Sequence, residues 1–416
     1  MLASSVSRRA TARGPFAAKP APRRAAIAVA PRAAAAGTAT YRPPSTATGG
    51  TELEWLARRS HLVPDTLLFS TAGGGKPEAA TVSAAVLNAA LASAPLTSAA
   101  KPWAQAVSAA VAYDRCASLK GDARLACQLD KAYANVGALA ADGVEGRVAV
   151  ELDPRLARDK AALLSKAQAL LKLFDEARVP RDKLILRVPA TWQGIQACRD
   201  LEAQGVATQA YLVFSLAQAA AATQAGVSVI SPNVGRTRDF FNKFPGIVRD
   251  PHGPREDAGG GSSTADPGVA LARRVWLYTR KFARPGKEAP RVMAAGLRSR
   301  SDVLSLAGCD YLVVPARVLA QLAEAPTVSG YNDGLSAASG AIDDDELPGG
   351  TENRPLTPAL AKGDDEVEEL PPLDEESFED GLGMAGKALL DSGLSGMVFE
   401  MDRLVGTMKE MVASAE

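Results

Sequence analysis

Short apolar runs alternate with longer amphipathic stretches along the chain from about residue 60 to residue 325. The apolar runs are rich in valine, isoleucine and leucine and are bounded by charged or turn-forming residues, which predicts buried strands. The stretches between them repeat apolar residues at spacings of three and four, which predicts helices; Lys160–Ala177 is the clearest example. The predicted strands include Leu62–Thr66, Arg147–Asp153, the run that begins at Leu184, Gln209–Ser215, Pro290–Arg298 and Tyr311–Val314.

Regular alternation of strands and helices predicts an α/β fold built on a parallel sheet. Such a sheet can close into a barrel or stay open, and the spacing of the elements is compatible with both. The two ends of the chain differ in composition from this central part, which we place at residues 52–328.

The first 51 residues carry basic side chains but no aspartate or glutamate, and they are rich in alanine, serine, threonine and proline. This composition is typical of an organelle transit peptide, so we expect residues 1–51 to lie outside the fold. The richness in alanine and proline favours a chloroplast address over a mitochondrial one. A basic arm that binds nucleic acid is the alternative, and the near absence of aromatic residues disfavours it.

Beyond residue 328 the chain becomes acidic and rich in proline and glycine, which predicts a disordered linker over residues 329–372. Residues 373–416 again show helical spacing, and we expect these C-terminal helices to pack on the central domain. Their methionine-rich stripe is interpreted as a packing face; it consists of Met397, Met401, Leu404, Met408 and Met411.

The residues that most often bind metals are scarce. The two histidines are far apart, and the four cysteines lack the paired spacing of a zinc site, so we predict no metal. Reduced thiols are expected, although Cys116 and Cys127 could form a regulatory disulfide. No run of 18 or more apolar residues occurs, so no membrane span is predicted.

The strand that begins at Leu184 ends in a turn with the sequence Arg187-Val-Pro-Ala-Thr-Trp-Gln-Gly194. In a βα barrel, reacting groups stand at the carboxyl ends of the strands, because the following loops surround that face. Arg187 is therefore a candidate site residue. Lys183 faces the same way four residues earlier, but about 13 Å of extended chain would place it at the opposite end of the barrel.

The turn at Arg187 resembles the signature of transaldolases, in which a lysine on the strand is followed by Thr-Trp-x-Gly. Three further blocks follow the order of that family: Glu151-Leu-Asp-Pro-Arg155, Phe214–Gln218 and Ala225–Arg236. The resemblance implies a single (β/α)8 TIM barrel with a C-terminal helical extension, and it implies sugar phosphates as ligands. It also implies that no cofactor takes part.

Several residues match positions to which the family assigns a role. Asp65 and Glu151 match the two acids that take part in proton transfer. Ser231 matches a residue that binds a sugar hydroxyl, and Arg236 and Arg298 match the two arginines that bind phosphate.

Other family positions are altered. Arg187 stands where the family has the lysine that forms a Schiff base with the donor sugar. A guanidinium keeps its proton at neutral pH and cannot attack a carbonyl, so the resemblance argues for the family and against its mechanism. We predict instead an ion pair between Arg187 and Glu151. The remaining departures are Ser83, Gln209, Tyr211 and Gly296.

These observations leave two main hypotheses. The first is a transaldolase of the pentose phosphate pathway, which transfers a dihydroxyacetone unit between sugar phosphates. The second is an inactive descendant that binds a sugar phosphate, or a protein partner, in a regulatory or scaffold role. A different barrel chemistry with Glu151 as the base is a third option. Nucleic acid and membranes are not expected as partners.

Overall fold

A computed structural model describes residues 47–67, 76–95, 98–245, 266–284, 286, 288–328, 355–363 and 367–415. Within these residues, eight parallel strands form one sheet in the order β2-β9-β8-β7-β6-β5-β4-β3. Helices follow most of the strands, as expected for a (β/α)8 barrel. The two outermost strands in this order, β2 and β3, lie side by side without pairing, so the barrel is nearly closed.

The described strands have the following bounds: β1 Ala47–Thr51, β2 His61–Pro64, β3 Ala79–Val82, β4 Arg147–Glu151, β5 Leu184–Pro189, β6 Thr208–Val213, β7 Val229–Pro232, β8 Arg291–Ala294, β9 Tyr311–Val314 and β10 Pro326–Val328. The described helices are α1 Glu52–Ala57, α2 Ala84–Ser93, α3 Lys101–Val111, α4 Asp114–Ala117, α5 Gly121–Gly143, α6 Lys160–Glu176, α7 Trp192–Ala203, α8 Leu216–Ala225, α9 Val234–Lys243, α10 Pro267–Lys281, α11 Arg300–Leu304, α12 Ala316–Glu324, α13 Pro358–Gly363 and α14 Glu375–Ala415.

Side chains alternate between the two faces of each strand, and this alternation produces two cores. Residues that point outward pack under the helices in the larger core. Residues that point inward fill the barrel with a second apolar cluster, made of Val63, Ala79, Ala149, Ile185, Val229 and Met293. The next inward position along β4, β5 and β7 is polar or charged. The polar side chains inside the barrel therefore lie at the carboxyl ends of these strands.

Strand β1 lies on the leader side of the expected boundary at residue 51. Ala47–Thr51 form strand β1, which pairs with β10, and the Thr51 hydroxyl caps helix α1. The polar composition of this segment concealed the pairing, because β1 gains its partner from more than 270 residues further along the chain. Residues 1–46, which contain the rest of the expected leader, lie outside the described residues.

Part of the expected linker also belongs to the fold. Helix α13 lies within it, and Leu356, Ala361 and Val367 are buried against the barrel. These apolar residues are separated by polar stretches, which is why composition alone indicated disorder. The acidic run at residues 343–346 and the glycine-rich segment at residues 250–265 lie outside the described residues.

The C-terminal helix α14 packs on the barrel as predicted. Met401, Leu404 and Met408 are buried, and the helix bends at Gly383, which has a positive φ of 60°. Gly393 lies against Leu212, a residue of β6 that itself has a left-handed φ of 61°. This conformation marks a bulge that shifts the register of β6 against β7.

Two cysteines deviate from the expected reduced state. Cys116 and Cys127 form a disulfide with a Cα–Cα distance of 5.7 Å, which joins α4 to α5. Sequence spacing could not decide this pairing, because the two residues are brought together by the turn between the helices. Cys198 and Cys309 are free and buried, and burial raises the pKa of each thiol to about 12.

The packing of α14 leads to a first prediction. Met408→Ala should lower the free energy of unfolding by about 2–5 kcal/mol, because it removes a fully buried side chain. Met384→Ala in the same helix is the matched control, since that side chain is 70% exposed and should change stability by less than about 0.5 kcal/mol. Urea unfolding followed by circular dichroism measures both. Equal losses would show that the buried stripe does not hold the helix.

Candidate active site

The polar layer of the barrel lies at the carboxyl ends of β4, β5 and β6. Glu151, Arg187 and Gln209 are direct neighbours in the strand register, so their side chains enter the barrel at the same height. Tyr211 and Ser231 form the next pair, on β6 and β7. The structure therefore brings together five of the residues that sequence analysis selected.

Glu151 is the most deeply buried charged group of this layer, with 3% of its surface exposed. Its Oε2 accepts a hydrogen bond of 3.2 Å from the backbone N–H of Ala84, and its Oε1 lies 3.7 Å from Nη1 of Arg187. The predicted ion pair is confirmed, although the separation is longer than a hydrogen bond. Oε1 accepts no hydrogen bond from the described residues.

Burial has the largest effect on the pKa of the Glu151 carboxylate. It raises the pKa of Glu151 above the ordinary value, while the charge of Arg187 and the N–H of Ala84 act in the opposite direction. A carboxylate of this kind binds a proton more readily than one on the surface, which suits a group that exchanges protons with a ligand.

Arg187 is held between two partners. Its guanidinium carbon lies 4.1 Å from the centre of the Tyr211 ring, in a cation–π contact, and its other neighbour is Glu151. Tyr211 is buried, and burial raises the pKa of its hydroxyl well above the usual value. That hydroxyl interacts with the Glu151 charge, but its geometry falls short of a hydrogen bond. The bulk of these two side chains fills the centre of the polar layer.

Gln209 and Ser231 each donate a hydrogen bond to Met293 on β8. The Gln209 amide donates to the Met293 sulfur at 3.3 Å, and the Ser231 hydroxyl donates to the Met293 carbonyl at 2.8 Å. Because the Ser231 proton is donated to this carbonyl, the Ser231 oxygen remains able to accept a hydrogen bond from a ligand. Gln209 Oε1 is buried and accepts no hydrogen bond from any described residue.

Ser83 and Asp65 stand on either side of the unpaired seam between β3 and β2. The Ser83 hydroxyl caps helix α2 by accepting from the Val86 N–H, so it serves the helix. Asp65 follows β2 directly and is exposed at the rim, where its N–H donates to the Val314 carbonyl. Among the described residues, the ion-pair partner of Arg187 is Glu151 and not Asp65.

The two candidate phosphate arginines differ in how they are held. Arg298 forms two hydrogen bonds with Asp239, of 2.8 and 2.7 Å, and these bonds hold the pKa of Asp239 below its usual value. Arg236 lies against helix α14, where a β-carbon on Gly396 would come within 3.1 Å of its Nη2. Arg317 donates to the carbonyl of Arg298, so cationic side chains gather at the ends of β7, β8 and β9.

Gly296, one of the departures from the family pattern, lies against the side chain of Asn233. Asn233 caps helix α9 by accepting a hydrogen bond of 3.0 Å from the Arg236 N–H. Gly296 has a φ of 74°, and a β-carbon there would lie 2.6 Å from Oδ1 of Asn233. Any side chain at position 296 would therefore meet the capping amide of Asn233, which glycine at 296 avoids.

Tyr133 on α5 lies near the site but was not among the predicted site residues. Its hydroxyl is buried close to Glu151 and Tyr211, and no sequence pattern separates it from the apolar residues around it. Lys183 was placed correctly at the opposite end of the barrel, where it is half-buried and donates to the Glu145 carbonyl.

The described residues contain no group of three or more histidine, cysteine, aspartate or glutamate side chains arranged to hold a metal ion. Likewise, none of the described helices is long and apolar enough to cross a bilayer.

A (βα)8 barrel whose charged residues meet at the carboxyl ends of the strands has the architecture of enzymes that act on small polar molecules. The family model of transaldolase and fructose-6-phosphate aldolase matches residues 79–353. The chain therefore belongs to the transaldolase/fructose-6-phosphate aldolase family.

Named relatives agree with this assignment. The transaldolase of Homo sapiens is 32% identical over 271 residues, which cover 65% of this chain and 74% of the relative. The transaldolase of Chlamydia muridarum is 38% identical over 194 residues, or 47% of this chain and 55% of the relative. The transaldolase of Methylibium petroleiphilum is 37% identical over 194 residues, or 47% and 58%. The chain thus spans little more than half the length of these bacterial relatives.

The buried ion pair leads to a second prediction. Arg187→Met should destabilise the protein by about 2 kcal/mol at neutral pH, because Glu151 loses the charge that opposes its burial. Burial raises the folded-state pKa of Glu151, so this group favours folding at low pH and loses that contribution as the pH rises towards the folded-state pKa. Removing Arg187 raises the pKa of Glu151 further. The free energy of unfolding that Arg187→Met loses should therefore be smaller at about pH 5 than at about pH 8.

Urea unfolding at the two pH values measures this difference. Arg181→Met is the matched control, because Arg181 pairs with the exposed Asp175 outside the barrel. A loss in Arg187→Met that is independent of pH would contradict the role given to Glu151.

Proposed function

We propose that this protein binds a sugar phosphate at the carboxyl ends of its barrel strands without forming a Schiff base with it. The observation that carries the proposal is Arg187, which occupies the strand position of the family's lysine and is fixed by Glu151 and Tyr211. An arginine keeps its proton throughout the physiological range, so it offers no lone pair for attack on a carbonyl.

The same residues support binding. Arg187 is a hydrogen-bond donor whose Nε has no partner among the described residues, and Gln209 and Glu151 each present a buried oxygen without a donor. Ligand hydroxyl groups can satisfy such atoms, and satisfying them recovers the cost of having buried them. Arg236 at the rim is suited to a phosphate, because a guanidinium fork matches two phosphate oxygens. Arg298 would contribute by exchanging Asp239 for the phosphate.

Binding without covalent chemistry fits a regulatory or scaffold role within sugar-phosphate metabolism. A second candidate is acid–base chemistry on the bound sugar, and the specific observation in its favour is the raised pKa of Glu151 inside the barrel. The family reaction, transfer of a dihydroxyacetone unit, would require a lysine amine. Lys166 borders a cavity together with Glu151, but it is engaged in an ion pair with Asp130.

A third prediction concerns the covalent step. Incubation with fructose 6-phosphate and borohydride should leave the wild-type protein unmodified, as read by intact-protein mass spectrometry. Arg187→Lys should not restore substantial turnover in an assay with fructose 6-phosphate and erythrose 4-phosphate, because Tyr211 and Ser83 also alter the pocket. A borohydride adduct on the wild type would overturn the proposal, and peptide mapping would test Lys166 first.

A fourth prediction concerns the phosphate. Isothermal titration should show that fructose 6-phosphate binds more tightly than fructose, and Arg236→Ala should weaken its binding by roughly tenfold or more through loss of a charge-assisted contact. Arg181→Ala serves as the control, since Arg181 precedes β5 at the opposite end of the barrel and should leave the affinity unchanged. Equal affinities for the two sugars would remove the support for a phosphate site.

A further inference from the structure

Helix α14 runs along the carboxyl ends of three neighbouring barrel strands. Helices α7, α8 and α9 begin directly after β5, β6 and β7, and α14 contacts each of these helices at its N-terminal end. The ring of Phe378 lies 5.5 Å from the ring of Trp192, the first residue of α7. A β-carbon at Gly386 would lie 3.6 Å from Cβ of Ser215, the N-cap of α8, and the contact with α9 is made at Gly396. The C-terminal helix therefore borders the face of the barrel on which a ligand would bind.

At Gly396 the helix lies against the guanidinium group of Arg236. A β-carbon at position 396 would come within 3.1 Å of Nη2, 3.8 Å of Nη1 and 3.9 Å of Cζ. All three atoms belong to the guanidinium, so the charged end of the Arg236 side chain packs on the helix at this position. Contacts between non-bonded atoms of this size are most favourable at about 3.5–4.0 Å, so Arg236 would have to move if residue 396 had a side chain.

Arg236 differs from two neighbouring arginines in how its charge is balanced. Arg298 forms two hydrogen bonds with Asp239, and Arg238 is paired with Asp302 at 2.8 Å. The guanidinium of Arg236 is half-buried and forms no hydrogen bond or ion pair with another described residue, although its charge does act on Asp239. Its hydrogen-bond donors are therefore available to an anionic ligand.

The backbone of the helix does not require glycine at position 396. Gly396 has helical backbone angles that alanine also adopts, and the bend of α14 lies at Gly383. Glycine is a poorer helix former than alanine, because it loses more backbone freedom on folding. What the missing side chain permits is the close approach of Arg236.

We propose that Gly396 is a positioning residue for the binding of phosphate: because it has no side chain, Arg236 rests against α14 with its hydrogen-bond donors unused. Helix α14 then forms one wall of the phosphate subsite. This wall keeps water from one side of the guanidinium, which strengthens the charge-assisted hydrogen bonds that the guanidinium forms with a phosphate. The inference rests on the proposed function, in which Arg236 binds the phosphate of a sugar.

The first test measures affinity by isothermal titration. Gly396→Leu should weaken the binding of fructose 6-phosphate about tenfold or more, because the leucine side chain takes the place of the guanidinium. Gly396→Ala should weaken it about two- to threefold, because Arg236 then has to move only slightly. Neither variant should change the affinity for fructose, which has no phosphate. Gly396→Ala should also unfold at no lower urea concentration than the wild type, since alanine is the better helix former.

Gly406 provides the matched controls in the same helix. It is exposed, and no described atom lies within 4 Å of a β-carbon placed there. Gly406→Ala and Gly406→Leu should therefore bind fructose 6-phosphate with the affinity of the wild type. Wild-type affinity in Gly396→Leu would overturn the proposal, and so would an equal loss of affinity in Gly406→Leu.

A second measurement needs no ligand and separates this inference from the proposed function. In ¹⁵N-labelled protein, the Nε–H resonance of Arg236 is assigned by its loss in Arg236→Ala. Gly396→Ala and Gly396→Leu should shift this resonance, and the two variants of Gly406 should not. An unmoved resonance would refute the positioning role of Gly396. Equal affinity of the wild type for fructose 6-phosphate and fructose would instead refute the proposed function, while a shifted resonance would still establish that Gly396 positions Arg236.

Discussion

The positive charge of Arg187 is balanced from two sides, by the carboxylate of Glu151 and by the face of the Tyr211 ring. These three side chains come from three consecutive parallel strands, and the strand register sets their relative heights. Because each one is buried or nearly so, none can change its charge or size without exposing the others to an unfavourable environment. The interior of the barrel is in this sense a single unit.

Much of this arrangement follows from the sequence, because parallel strands impose simple rules. Period-two alternation identifies Glu151 and Arg187 as inward-facing neighbours at the ends of adjacent strands, and opposite charges at that distance form a pair. The position of Lys183 at the far end follows from the rise per residue alone. The family motifs then select a closed barrel, which the spacing of the elements could not do.

Other features depend on contacts between distant parts of the chain and could not be predicted. Tyr133 has the helical spacing of a core residue, and only the relative placement of α5 and β4 brings its hydroxyl to Glu151. The pairing of β1 with β10 is equally non-local. The contact between Asn233 and Gly296 depends on the helix cap at Asn233 and on the positive φ of Gly296. The sequence predicts neither of these two features.

The bulge in β6 has a consequence for the C-terminal helix. Leu212 adopts a left-handed conformation that costs a non-glycine residue about 1–3 kcal/mol, and its side chain then turns towards α14. A β-carbon at position 393 would lie 2.9 Å from Cδ2 of Leu212, so any residue larger than glycine there would force the Leu212 side chain to move. Glycine at position 393 thus gives the bulged strand and the helix room to approach each other, although the two contact points are 181 residues apart along the chain.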